Sequence, residues 1–205
     1  KFFQFKNILN NPKSLISNFV FSLFADSKNR LWVGTSLGLC YVKLSSLNKR
    51  IPGNINFEEI KIKNIQGNRI NHITEDYKGN IWVGTDMGLY QLDQNLKLKH
   101  SYSSNNGLPN NLVVGLQEDN DKNIWISTKS GLSLLNPKTQ NIKNFNVHDG
   151  LQGVEFQSKS IAKTFDGKII VGGINGFNIF YPNDISLNSN KVIPIITDIK
   201  VFNKR

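Results

Sequence analysis

Asn29-Arg30-Leu31-Trp32-Val33-Gly34-Thr35, Gly79-Asn80-Ile81-Trp82-Val83-Gly84-Thr85 and Lys122-Asn123-Ile124-Trp125-Ile126-Ser127-Thr128 are three copies of one phrase. A fourth, Gly167-Lys168-Ile169-Ile170-Val171-Gly172-Gly173, keeps the frame but carries Ile where the others carry Trp. The anchors Trp32, Trp82, Trp125 and Ile170 are 50, 43 and 45 residues apart. A glycine follows each by six positions (Gly38, Gly88, Gly131, Gly176), and Asp26, Asp76 and Asp119 precede the first three by six. Between units, Gly107-Leu108-Pro109-Asn110-Asn111-Leu112 recurs loosely as Gly150-Leu151-Gln152-Gly153-Val154, and Ser14-Leu15-Ile16-Ser17-Asn18-Phe19 is a more degraded copy. Self-similarity at this period marks an architecture of stacked units.

Each unit reads as antiparallel β. In the first, the β-rich run Asn18 to Phe24 meets a polar turn, Asp26-Ser27-Lys28-Asn29. A second strand follows from Leu31 to Thr35, then a short turn ending at Gly38 and a third strand from Leu39 to Leu44. The aspartate before each hairpin suits a side chain bonding its own turn's amides, and Gly79 and Gly167 supply positive φ near the turn's end. Asp166 accompanies the fourth turn and is expected to form it in the same way. Fourth strands are expected over Phe57 to Ile62, Leu96 to Tyr102 and Ile142 to Phe145. No window sustains an apolar period of 3.6, so helix is nearly absent. Four-stranded units of this length are the size of β-propeller blades.

The phrase Asn/Gly-x-Ile/Leu-Trp-Val/Ile-Gly-Thr-x-x-Gly-Leu resembles the two-component regulator propeller repeat, over about residues 14–182. That resemblance implies the extracytoplasmic sensor region of a bacterial hybrid two-component protein, a membrane histidine kinase often fused to response-regulator domains. The last unit resembles the family's terminal blade. Ile193 to Lys204 is similar to the first strand of the three-tyrosine β-sandwich that follows the propeller. The expectation is an all-β partial propeller of four four-stranded blades with one extra C-terminal strand, a fragment equal to about half of a second propeller. Its divisions are 1–13 (outer strand of a preceding blade, on Phe2-Phe3-Gln4-Phe5, and linker), blades at 14–66, 67–107, 108–150 and 151–187, and 188–205 for the linker and sandwich strand.

The 205 residues carry 25 Lys and Arg against 15 Asp and Glu, a net charge of +10. The surplus is spread along the chain with no basic block, and much of it alternates with apolar residues, as at Ile60-Lys61-Ile62-Lys63 and Leu96-Lys97-Leu98-Lys99. That is the pattern of an outer strand with one wet face, where Lys discourages edge pairing. Nucleic-acid contact by this segment is therefore not expected. The single Cys40 excludes an internal disulfide. No apolar run reaches a membrane span, and the first residues are not a signal peptide.

No catalytic constellation, phosphate loop or metal-ligand spacing is present; His72, His100 and His148 stand far apart in sequence, the first two in the second unit and the last in the third. The expectation is no enzyme activity in this segment, no cofactor and no metal. The aspartates recur with the turns, as scaffold residues do, and Trp32, Trp82 and Trp125, repeating once per unit, read as inter-blade core. Ligand contacts are expected from loops that differ between units, on the face carrying the second-to-third-strand loops and the blade connections. Asp86, Asn106, Lys129, His148 and Asn175 are the candidates. By resemblance, the function is that of a periplasmic sensor binding an oligosaccharide, an acidic one being favoured weakly by the basic surplus, and signalling to a kinase that regulates transcription. The alternative is a structural or dimerisation segment contacting the remaining blades or a second copy, with no ligand site of its own.

Overall fold

The structure, a computed structural model, describes residues 2–47, 55–63 and 65–185. It is all-β and propeller-like, with four antiparallel sheets following one another along the chain. The first sheet holds β1 (Val20–Ala25), β2 (Arg30–Thr35), β3 (Gly38–Lys43) and the two-residue β4 (Glu58–Glu59), with a one-turn helix α1 (Leu44–Leu47) after β3. The second holds β5 (Ile70–Glu75), β6 (Ile81–Thr85), β7 (Gly88–Leu92) and β8 (Leu98–Tyr102). The third holds β9 (Val113–Glu118), β10 (Ile124–Thr128), β11 (Gly131–Leu135) and β12 (Ile142–Phe145). In the fourth, β13 (Phe156–Lys163), β14 (Ile169–Gly173) and β15 (Gly176–Phe180) make three strands among the described residues.

The outer strand of the first blade is thus shorter than the Phe57 to Ile62 run suggested. Residues 2–7 form no strand; Phe5 instead sets its ring edge-on against Phe57, 5.9 Å between centroids. The strand expected over Ile193 to Lys204 lies outside the described residues.

Each sheet meets the next through its first strand: β1 lies against β5, β5 against β9, and β9 against β13. The anchor tryptophans fill these junctions. Trp32 is buried with Leu39 of its own blade and Ile70, Ile73, Ile81 and Val83 of the second. Trp82 is buried with Leu89, Val113, Leu116 and Ile126, and Trp125 with Leu132, Phe156, Ile161 and Val171. A buried indole N–H requires an acceptor, and the aspartate six residues earlier supplies it. Trp32 Nε1 donates to Asp26 Oδ2 at 2.8 Å, Trp82 Nε1 to Asp76 Oδ2 at 2.9 Å, and Trp125 Nε1 to Asp119 Oδ2 at 3.0 Å. The other carboxylate oxygen accepts the amide closing the turn: Arg30 N, Asn80 N and Asn123 N, each at 2.9 Å. Burial alone raises the Asp26 carboxyl, but the Trp32 indole and the Arg30 amide and guanidinium outweigh it and hold it below the usual carboxylate value.

The glycine after Trp-Val answers to the same packing. A Cβ on Gly34 would stand 2.7 Å from Ile70 Cγ2, and one on Gly84 would stand 2.7 Å from Val113 Cγ1, so the next blade's first strand occupies the space. In the third blade Ser127 takes this position and Gly115 opposite it makes the room. Cys40 is wholly buried, and burial pushes its thiol up to about 11, which leaves it protonated and inert at neutral pH.

Candidate functional site

The two faces of the blade row are built differently. On one, the first-to-second-strand turns clasp the next blade: Ser27 N and Oγ donate to the Glu75 carboxylate at 2.8 and 2.7 Å, and Tyr77 N donates to Glu118 Oε2 at 2.6 Å. At the last junction Lys163 Nζ donates to Asn120 Oδ1 at 3.1 Å. These contacts repeat with the scaffold. The opposite face carries the second-to-third-strand turns and the blade connections, and there the repeat breaks down.

All five loop candidates lie among those turns and connections, but the structure does not bring them to one place. Asp86 accepts from Asn71 Nδ2 at 2.9 Å and pairs with Arg69 Nη2 at 3.2 Å, bracing its loop against the start of β5. Asn106 is spent within its own turn, where its side chain accepts from Ser103 N and donates to Ser101 O at 2.9 Å. Lys129 reaches from the third blade to Glu155, 2.7 Å away, at the entrance to the fourth. Asn175 receives support through its backbone, its N–H donating to Gln152 Oε1 at 2.8 Å. His148 sits exposed in a single 3-10 turn, Val147–Asp149, capped by Asn146.

Beside two of these positions is a cleft of about 430 Å³, lined by Lys63, Asn68, Met87, Tyr90, Ser101, Tyr102, Ser103, Asn105 and Asn111. Three connections converge on it. Lys63 and Asn68 come from the segment between the first two blades, Met87 from the β6–β7 turn next to Asp86, and Ser103, Asn105 and Asn111 from the connection to the third blade. The turn at Ser104–Asn106 is held in shape by a capping box with Ser103 and by Ser104 N donating to Asn111 Oδ1 at 2.7 Å. Tyr90 and Tyr102 are buried beneath the opening, and Tyr102 donates its hydroxyl to Gln140 while burial pushes its pKa up to about 12. Sequence reasoning found the borders, Asp86 and Asn106, and missed the lining. Lys63, Asn68 and Asn111 belong to connections without a shared phrase, so only folding shows that they face one space.

The tryptophans are wholly buried, so none offers a ring face to a sugar. His72, on β5, accepts the Leu116 N–H at Nδ1, 3.2 Å, which leaves its proton on Nε2. Burial, with the charge of Lys159 nearby, lowers its pKa to about 4. Among the described residues no three His, Cys, Asp or Glu side chains gather as a metal site, and no helix is long and apolar enough to cross a membrane.

Comparison with known proteins supports the same architecture. Residues 14–36, 64–87 and 107–130 match the family described as two component regulator propeller. A histidine kinase of Formosa agariphila, named P4, is 34% identical over 192 residues, which is 93% of this chain and 14% of that protein. The chain thus spans about one-seventh of that relative's length. Among solved structures, the extracellular domain of a one-component system from B. thetaiotaomicron superposes with a TM-score of 0.64 at 21% identity, covering 80% of this chain and 22% of that one. The extracellular domain of a hybrid two-component system from the same organism gives 0.50 at 20% identity, covering 89% and 30%. At these identities the structural likeness concerns the fold.

Proposed function

We propose, from the premise that this chain is built of two-component regulator propeller repeats, that it is part of the extracytoplasmic, periplasmic sensor region of a hybrid two-component histidine kinase. In this reading it binds an oligosaccharide in the cleft on the second blade, where the connections from the first blade and to the third converge, and the binding informs a kinase that controls transcription. The kinase relative and the extracellular neighbours support the sensor assignment. The observation that carries the ligand class is the cleft lining: three asparagines and two serines around one lysine. Amide and hydroxyl side chains each present donors and acceptors, the complement of neighbouring sugar hydroxyls, and Lys63 favours a ligand with a carboxylate or sulfate.

Signalling requires that ligand distinguish two arrangements of the sensor, and a site formed where connections from successive blades meet is well placed to do so. Calorimetric titration of this protein with neutral and acidic oligosaccharides tests the reading. Binding by an acidic oligosaccharide, weakened at least tenfold by Asn105→Leu and shifted toward neutral sugars by Lys63→Ala, is expected. Absence of binding across the panel, or binding indifferent to both substitutions, would refute it.

A further inference from the structure

Two Asn-Gly pairs stand in the chain, Asn106-Gly107 and Asn175-Gly176, and both asparagines are exposed. Asparagine before glycine is open to attack by its own backbone: the next residue's nitrogen reaches the side-chain carboxamide carbon, and glycine has no Cβ to stand in the way. The reaction needs a carboxamide free to turn and a peptide free to approach it, so the fold around each pair decides which one reacts.

Asn106 is held on every side. Its Oδ1 accepts from Ser103 N, its Nδ2 donates to Ser101 O at 2.9 Å, and its own N–H donates to Ser103 O at 3.1 Å. The next peptide is clamped as well. Asn144 Nδ2 donates to Gly107 O at 2.8 Å, and a Cβ on Gly107 would stand 3.3 Å from Ile142 Cδ1. Turning the Asn106 carboxamide toward Gly107 N breaks the capping box of the Ser104–Asn106 turn.

Asn175 lacks these restraints. At the tip of the β14–β15 turn its backbone N–H donates to Gln152 Oε1 at 2.8 Å, but its carboxamide has no hydrogen-bond partner among the described residues. A Cβ on Gly176 would meet nothing within 4 Å. That openness belongs to the turn and not to the end of the blade row. The same tip position is Leu37, Met87 and Ser130 in blades one to three, each exposed although another blade follows.

We infer that Asn175 is a site of covalent self-modification, deamidating through its own backbone while Asn106 is protected. The Gly176 nitrogen, its proton taken by hydroxide, bonds to Asn175 Cγ; the Cγ–Nδ2 bond breaks and the side-chain nitrogen leaves as ammonia. Water then opens the resulting cyclic imide at either carbonyl, leaving aspartate or isoaspartate at position 175. Either product adds a carboxylate to the face that carries the cleft. Isoaspartate also lengthens the backbone in a tight turn that Gln152 grips.

Incubation of the folded protein in warm, mildly alkaline buffer, followed by peptide mass spectrometry, tests this. The Asn175 peptide should gain the mass of an amide-to-acid exchange at least about tenfold faster than the Asn106 peptide. In urea, where both pairs lose their surroundings, the two rates should converge. Isoelectric focusing of folded protein should show the main acidic form accumulating in wild type and in Asn106→Gln. It should fail to accumulate in Asn175→Gln, whose longer side chain closes the ring far more slowly. If Asn106→Gln unfolds, the two peptide rates in wild type decide alone. Equal rates in the folded protein, faster reaction at Asn106, a gap that persists in urea, or an unreactive Asn175 while the unfolded chain is converted would each overturn the inference.

Discussion

The first three blades and the fourth solve one problem in two ways. In blades one to three, a buried indole must place an N–H, and an aspartate six residues earlier accepts it while also tying the turn. In the fourth, Ile170 has no N–H to place, and the aligned acceptor is Thr164, whose hydroxyl takes only the turn amide of Lys168, 2.9 Å away. A third exchange follows. Thr35, Thr85 and Thr128 accept the amide two residues ahead in the β2–β3 turn and its equivalents, at 3.2, 3.0 and 3.1 Å. Gly173 cannot, and Gln152 reaches in to accept the amide of Asn175 instead. A Cβ at 173 would meet Gln152 Nε2 at 1.8 Å, so the glycine and the glutamine belong together. The comparison teaches that the repeat is a set of coupled parts: remove the tryptophan and the carboxylate is no longer needed.

The sharpest way to break that contrast is truncation of the anchors. Trp82→Ala removes a wholly buried side chain and one of the donors to the Asp76 carboxylate, and is expected to cost about 3–5 kcal/mol in urea denaturation. Ile170→Ala, at a partly buried position without a polar partner, should cost about 1–2 kcal/mol. Equal losses would erase the distinction between the blades.

Next in size is a pH effect confined to one junction. His72 stands where blades two and three meet; the corresponding place on β13 is held by Ser160, which does not titrate. Because the folded pKa of His72 is depressed to about 4, the unfolded chain takes up a proton first as pH falls. Stability from this group is therefore complete above about pH 6.5 and declines toward pH 4, by at most about 3 kcal/mol. Denaturation midpoints measured across that window should fall for wild type and flatten for His72→Phe. An unchanged slope in the variant would remove His72 from the account.

Asp119→Ala and Thr164→Ala form the third pair. The first loses a charge-assisted acceptor for a buried indole and should cost about 2–3 kcal/mol; the second loses a neutral turn bond and an exposed bond to Asp166 and should cost about 1 kcal/mol. Smallest of all is Lys129→Met. Its partner Glu155 is well exposed, and breaking the 2.7 Å pair should change stability by less than about 1 kcal/mol.

The fold was legible because packing at each junction repeats a chemical demand, so anchor, glycine and aspartate recur at fixed offsets. Gly79 and Gly167 do adopt positive φ, 77° and 89°. One reading of the turns failed. Asp166 is two residues out of register with the other three aspartates; it lies exposed, bonded to Thr164 and Tyr181 and paired with Lys168 at 2.9 Å, while Thr164 occupies the turn position. Counting back six from Ile170 identifies Thr164, so the signal was there. The cleft was less legible. Asn106 and Asp86 attract notice as deviating loop residues, yet their side chains serve their own loops, and the lining comes from Lys63, Asn68 and Asn111 in connections that follow no phrase. Periodicity reports what every blade shares, and a site is what one blade does alone.

The most direct test of the coupled-parts account is a pair of double-mutant cycles, Asp76→Ala with Trp82→Phe and Thr164→Ala with Ile170→Val, read by urea denaturation. The account predicts a coupling of about 1–3 kcal/mol in the second blade and one within about 0.5 kcal/mol of zero in the fourth. Additive effects at Asp76 and Trp82, or an equal coupling at Thr164 and Ile170, would contradict it.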